Sequence, residues 1–438
     1  MKKYIAVFLL LCILLSSCGT ESSEVPETMT SAPEDERTSI TLAVFGRGYD
    51  EITNSAVQFN RSKYASDFRV DVVDYCDGNV NIEQAILRLN TELGAGKGPD
   101  MIAFVAKGSD SLGIMGISHL SYMSRGWLVD MGKYLAEDDE LSYDDLVNVD
   151  ALNEFDGIYI LGNGFEIHTA MVLSERFGER TSWTIQEYLD IEASLEPWQS
   201  MCYYMNDHYF LENIGGRYSR HAINWKEGTC DFNNSEFIEI LEAAGRVKDD
   251  NTAEFETLES FTTAWQRIGA GQLIVSAAFI SNPSSIKQDE AFSESQVTYI
   301  GWPTPDGSCG SDFNLLNSVG ISTNSEHKDA CWEFIKYYVK NPEVSLQMRY
   351  LPLYRPKLAA TVSLYRTDEF KGVKIENKQD VLDLYEIIEL PEHMAVYDET
   401  VVDIIIEEAE EYFAGNRTAE DAAARVQERV SLYVAEQS

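Results

Sequence analysis

The residues whose types and spacing first suggest chemistry are the glycines at 94, 96 and 98 with Lys97 among them, in NTELGAGKGPDMIAFVAK at residues 90–107. Glycines beside a lysine are the material of a phosphate cradle, whose backbone N–H groups meet an anion at a helix N-terminus. Such a cradle leaves a strand and opens a helix. Here the order is reversed. Ile82, Ala85, Ile86, Leu89 and Leu93 recur at helical spacing before the glycines, and 100–105 reads as a short buried strand after them. Gly94 stands where a helix C-terminus takes a left-handed residue, and Pro99 stops further helix. Lys97 is followed by Gly98, not by the Ser or Thr of a nucleotide loop. The stretch is expected to be a helix-to-strand turn.

Other catalytic signatures are missing from the sequence. It contains no Gly-x-Ser-x-Gly elbow, no His-Glu-x-x-His and no Asp-x-Asp-x-Asp-Gly calcium loop. The six histidines form no spaced pair and no Cys-x-x-Cys occurs, so zinc and thioredoxin-type chemistry have no support. Among 73 acidic residues a glycosidase-type carboxylate pair can always be found, so motif alone does not exclude one. No catalytic residue, metal or cofactor is expected.

The ends and the charge limit the setting. Lys2 and Lys3 precede an apolar run at 4–15 that is too short to span a bilayer comfortably and has the shape of a signal peptide. The run closes in Leu15-Ser16-Ser17-Cys18-Gly19, which resembles a bacterial lipobox. That resemblance implies a signal peptide at 1–17, a lipidated Cys18, and a protein held at the outer face of the cell membrane. An uncleaved helix or a buried Cys18 is the alternative. Residues 18–39 are rich in Ser, Thr and acids, with Pro26 and Pro33, and read as a flexible tether. The whole chain of 438 residues carries 34 basic and 73 acidic side chains, and losing Lys2 and Lys3 takes its net charge from −39 to −41. So negative a protein repels nucleic acid and anionic lipid, leaving the N-terminal lipid as the expected membrane contact. Beyond the lipobox five cysteines remain, Cys76, Cys202, Cys230, Cys309 and Cys331. An odd count leaves at least one free thiol, and a Cys202–Cys230 bridge is open.

From about residue 40 the pattern is strand, helix, strand, helix, strand. Residues 40–45 form an apolar run; Ile52, Ala56, Val57 and Phe59 mark a helix; 68–75 is a second strand. Asn81 with Gln84 makes a capping box for the helix before the glycines. This is the rhythm of a parallel α/β layer. Further on, 157–161 is a short apolar run, and Thr184 with Glu187 forms a second capping box behind Trp183. Strands are expected at 273–280, 297–302 and 319–323, and helices at 329–339, 399–413 and from Thr418 to Tyr433.

Taken in order, these segments resemble the extracellular solute-binding proteins of ABC importers, in particular the sugar-binding type related to maltose-binding protein. The features that carry the resemblance are a helix ending in Gly-x-Gly-x-Gly-Pro-Asp before strand three, Phe59-Asn60, 127–135, 183–188, 269–272, GWPTPDG at 301–307, 320–322 before 330–334, and a helix pair around Gly415. It spans about 40 to 435. It implies a two-lobed α/β fold of the periplasmic-binding-protein kind, each lobe a sheet flanked by helices, with the ligand cleft at the hinge. Lobe 1 would be 40–163 plus 320–390, and lobe 2 would be 164–319 plus 391–438. Ligand would lie at the strand ends, where open α/β sheets bind.

Strand-end positions in the first lobe give Arg47, Tyr49, Asp77, Phe104 and Lys107 as candidate contacts, and the resemblance favours Arg47, Tyr49 and Lys107 among them. It also implies a contact at Glu166, beside His168, at the first crossover. In the second lobe the candidates are Tyr209, Trp225, Phe279 and Trp302, with Tyr397 and His393 near a further contact region. A neutral sugar needs flat aromatic faces and polar groups, and the chain has 7 Trp, 23 Tyr and 19 Phe. The expected function is capture of a carbohydrate, an oligosaccharide in the first instance, by a monomeric protein that delivers it to ABC permease subunits. A polyamine, peptide or polyol binder and a surface sensor or adhesin are the rival readings.

Overall fold

The computed structural model describes residues 35–46, 48–104, 118–202, 205–248, 258–341, 350–367 and 378–437. Strand β1 (Thr38–Val44) starts two residues before the expected run, and Ile40, Leu42, Ala43 and Val44 are buried. Helix α1 (Asp50–Arg61) turns Ile52, Ala56 and Phe59 inward. Asp50 and Glu51 occupy its first turn, where a carboxylate suits the helix dipole. Strand β2 (Phe68–Asp74) lies parallel to β1, with Ile40 opposite Val70. Helix α2 (Ile82–Gly94) buries Ala85, Leu89 and Leu93, and Asn81 Oδ1 accepts from Gln84 N at its start. Strand β3 (Met101–Phe104), buried at every residue, pairs parallel with β1 on the side away from β2. The parallel βαβαβ layer expected from the sequence is present.

The glycine stretch is a helix-to-strand turn, with one correction. Gly94 is the last helical residue, and the left-handed residue is Gly96 (φ +69), because α2 runs on further than its apolar spacing required. Gly96 N donates to Leu93 O (3.0 Å) and Lys97 N to Glu92 O (2.9 Å), closing the end in Schellman fashion. Asn324 Nδ2 reaches over to the carbonyls of Leu93 and Lys97. Lys97 itself is exposed, and the glycines close a helix instead of opening one. Asp100 then ties β3 to β1, its carboxylate accepting from Thr41 N (2.8 Å) and Thr41 Oγ1.

The middle of the fold rests on two long strands. β4 (Leu161–Leu173) begins where the sequence suggests an apolar run should end, so Gly162 and Gly164 lie inside a strand. Their smallness serves close approach: a Cβ on Gly162 would fall 2.3 Å from Leu316 O, and one on Gly164 2.0 Å from the Tyr350 ring. β5 (Ile223–Asn224) and β6 (Thr229–Cys230) form a small separate hairpin. β7 (Val275–Ile280), β8 (Val297–Tyr299) and β9 (Asp312–Ile321) follow, then β10 (Leu351–Pro352) and β11 (His393–Met394). β9 is twice the length expected at 319–323. Among the described residues nine strands make one sheet in the order β10-β4-β9-β3-β1-β2, with β11 on β9 and β7 and β8 on β4. β9 pairs with β3 through residues 318–321, and with β4 from 312 onward. β4 in turn carries β7 and β8 on its second half. The two strands therefore run through both parts of the sheet and make it continuous.

Helix boundaries elsewhere follow local chemistry. Thr184 Oγ1 accepts from Glu187 N while Glu187 accepts from Thr184 N, the reciprocal capping box. Trp183 packs on Tyr188 at 5.6 Å, the staple that fixes the chain's entry. The closing pair is Glu399–Phe413 and Ala419–Gln437, separated by Gly415 (φ +75). Among the described residues no helix is long and apolar enough to cross a membrane. Among the described residues no disulfide forms, so Cys202 and Cys230 are not bridged to each other.

Candidate ligand site

Glu166 and His168 stand two apart on β4 and so share one face of the sheet. Directly opposed residues of an antiparallel pair share that face too. Glu166 faces Asn314 and His168 faces Asp312 on β9, while on the other side His168 faces Phe279 of β7. Five side chains with polar or aromatic character are thus gathered by register alone. The opposite face is apolar, with Phe165 stacked on Phe313 at 4.7 Å.

Glu166 Oε1 lies 2.7 Å from His168 Nε2 and accepts from Asn314 Nδ2 at 3.0 Å. Burial pushes the Glu166 carboxyl pKa up, but the bonds from His168 and Asn314 outweigh it and hold it below the ordinary value. The carboxylate is therefore ionised at neutral pH. Phe279 stands edge-on to the imidazole (4.9 Å, 89°) and is 52% exposed, an open aromatic face beside fixed acceptors.

Behind this group is a buried ionic cluster. Asp312 meets Arg217 Nη2 at 2.6 Å and Arg220 Nη1 at 2.7 Å, and Arg220 also donates to the Met394 carbonyl. Burial alone would raise the Asp312 pKa; the charges of Arg217 and Arg220 bring it below the ordinary value. Arg217 also lies 5.9 Å over the Trp302 ring, and Tyr209 meets that ring edge-on. Burial pushes the Tyr209 hydroxyl up to about 12. Tyr397, half-buried, packs on Gly216, one residue before Arg217. Glu166, His168, Tyr209, Phe279, Trp302 and Tyr397 thus belong to one neighbourhood, with Trp302 as its buried backing and no open face of its own.

Sequence reasoning missed Asp312, Asn314, Arg217 and Arg220. A signal existed for the first two, since Asp312-Phe313-Asn314-Leu315 alternates as a one-face strand does.

Other candidates are corrected. Tyr49 is 1% exposed, against Phe45 in the core of the first layer, because the turn after β1 folds it inward. Phe104 is buried edge-on to His119 and Tyr122, since β3 is covered on both faces. Trp225 is buried as well. None of the three offers a surface to ligand. Asp77 is exposed, and its carboxylate accepts from Gly78 N in a local turn. His393 pairs with Glu154 (3.0 Å) and packs edge-on to His221. Arg47, Lys107 and Cys18 lie outside the described residues.

Two cavities lie elsewhere among the described residues. One of about 720 Å³ is lined by Tyr143, Asp144, Asn148, Arg355 and Glu389, and one of about 710 Å³ by Tyr134, Ser325 and His327. Neither gathers an aromatic face with an ionised, half-buried acceptor, so chemistry favours the Glu166 group over volume. No three His, Cys, Asp or Glu among the described residues are placed to hold a metal.

No protein-family model matches the sequence, and no curated protein does. Solved structures do match in fold. The sugar-binding protein MalE of Xanthomonas citri aligns over 91% of this chain and 98% of its own, at 15% identity and a TM-score of 0.57. The cyclic α-maltosyl-1,6-maltose binding protein of Arthrobacter globiformis aligns over 91% and 100%, at 16% identity and 0.53. An ABC substrate-binding protein of Listeria monocytogenes, solved with cycloalternan, aligns over 91% and 99%, at 15% and 0.51. The fold is that of periplasmic-type solute-binding proteins, a mixed α/β architecture with a large sheet flanked by helices.

Proposed function

We propose that the protein is the solute-binding subunit of an ABC importer and captures a carbohydrate, an oligosaccharide in the first instance, for delivery to a membrane permease. One observation carries the reading: the open face of Phe279 stands beside the ionised Glu166, with His168 and Asn314 within 3.0 Å of that carboxylate. A sugar ring lays its C–H surface on such a face and gives its hydroxyls to such acceptors. The fold shared with sugar-binding proteins supports it. Lobe 1 is residues 40–163 plus 320–390 and lobe 2 is 164–319 plus 391–438, with β4 and β9 as crossing strands. In this reading Cys18 carries the lipid that holds the protein at the outer face of the cell membrane, and 18–39 is its tether.

A second reading is a cationic ligand such as a polyamine, favoured by the same ionised Glu166 and the −39 net charge of the chain. A thermal-shift screen of oligosaccharides, polyamines and peptides on the tethered domain separates the two. At a thousand times its dissociation constant a ligand adds about 4 kcal/mol of stability. Sugars that raise the melting temperature support the first reading; spermidine alone doing so replaces it with the second.

A further inference from the structure

The ladder between β4 and β9 has a gap. Leu161 faces Val319, Gly162 faces Ser318 and Gly164 faces Leu316, so Asn163 and Asn317 fall opposite each other, yet that pair is missing from the ladder. Asn317 is turned into left-handed backbone (φ +48). On one side of the gap β9 is paired with β3; on the other, β4 goes on to β7. Two strands that lose their mutual backbone bonds at one point are softest there.

One side chain from a third element spans the gap. Glu51, in the first turn of α1, accepts Asn163 Nδ2 on Oε1 (2.5 Å) and Asn317 Nδ2 on Oε2 (3.0 Å). The backbone carbonyls are held separately, that of Asn163 by Leu353 N (3.2 Å) and that of Asn317 by the Tyr338 hydroxyl (2.8 Å). Asn163 is 1% exposed and its Oδ1 has no partner, so its amide donates to Glu51 and Tyr350 while its acceptor is left unused. A buried acceptor left unpaired costs stability, which the charge-assisted bond to Glu51 offsets.

We propose that Glu51 is the hinge-positioning residue. By holding Asn163 with one oxygen and Asn317 with the other, it fixes the angle between the β3 side of the sheet and the β7 side. It thereby sets the balance of open and closed forms before ligand arrives. This rests on the reading that the two halves close on a solute. Apparent affinity scales with the fraction of binding-competent form, so a change at Glu51 alters binding without touching a ligand contact.

The test is a distance measured on the ligand-free protein. Spin labels on ketone-bearing residues at Leu87 and Trp198, both exposed, leave the native cysteines untouched. Pulsed electron-resonance distances are compared for wild type, Glu51→Ala, Glu51→Gln and Asn317→Gly. Glutamine keeps the shape but can accept only one of the two amides, and glycine accepts the left-handed backbone while removing one arm. A shifted or broadened distribution in Glu51→Gln and Asn317→Gly supports the proposal even where Glu51→Ala does not fold. Distributions matching wild type in those two variants overturn it, whatever their melting temperatures. Because no ligand is used, a failed sugar screen leaves this result standing, and an unchanged distance leaves the sugar reading standing.

Discussion

Phe279 of β7 and His168 of β4 are directly opposed across an antiparallel pair, and their rings meet at right angles with centroids 4.9 Å apart. Phe279 stays 52% exposed beside the imidazole, so its ring is open to a ligand. Phe279→Ala is therefore expected to weaken carbohydrate binding about tenfold or more, roughly 1.4 kcal/mol. The ligand-free protein should melt close to wild type, because the ring is half exposed and fills no core. Titration calorimetry with the sugar found by screening measures the first effect and a thermal melt the second. Equal affinity in the variant would remove Phe279 from the site.

The same face depends on buried Asp312, which buried Arg220 and half-buried Arg217 share. Removing the carboxylate leaves Arg217 and Arg220 facing each other without a counter-charge. Asp312→Ala should cost about 3–5 kcal/mol in urea unfolding. Removing all three charges together, as Asp312→Leu with both arginines changed to Met, should cost less than the single change. A single change milder than the triple one would show that the cluster is not held by charge pairing.

How much of this was legible in the sequence differs by region. The first layer was plain because its helices and strands each keep one period over a full element, as in α2 with Ala85, Leu89 and Leu93. The Thr184 and Glu187 box and the Trp183 staple were legible for the same local reason. β4 was not, since Gly162 and Gly164 signal a turn locally and are small only because Leu316 and Tyr350 approach from distant parts of the chain. At the site, Glu166, His168 and Phe279 were found, but nothing local marks Arg217 as the partner of Asp312, 95 residues away by their numbers in the chain. Tyr49 and Phe104 stand at strand ends, which usually face ligand, whereas both rings here pack inward.

A pH effect of unusual sign is expected at Asp289. Burial lifts its pKa to about 6, against the opposing bonds from Tyr299 and Trp265. Below the unfolded value of 3.8 both states hold the proton. Between there and about 6 the folded state binds more protons than the unfolded one, so stability falls as pH rises, and above that it levels off. Wild type should lose up to about 3 kcal/mol across this window relative to Asp289→Asn, whose amide does not titrate. Urea melts of both proteins from pH 3.5 to 7.5 measure the difference; parallel curves would refute a raised Asp289.

Near the start of β4, Gly164 lets the Tyr350 ring lie on the strand. A methyl group there would stand 2.0 Å from Tyr350 Cδ2, well inside contact distance, and neither a fused strand nor a ring can yield much. Gly164→Ala should therefore destabilise by about 1–3 kcal/mol. The cause is a specific clash, so truncating the ring should relieve it: in a double-mutant cycle, Gly164→Ala should cost far less in a Tyr350→Ala background. Tyr350 also accepts from Asn163 Nδ2 at 3.3 Å, so losing its hydroxyl has its own small cost, which Tyr350→Phe isolates. If the two changes were simply additive, Gly164 would owe its place to strand conformation and not to the ring above it.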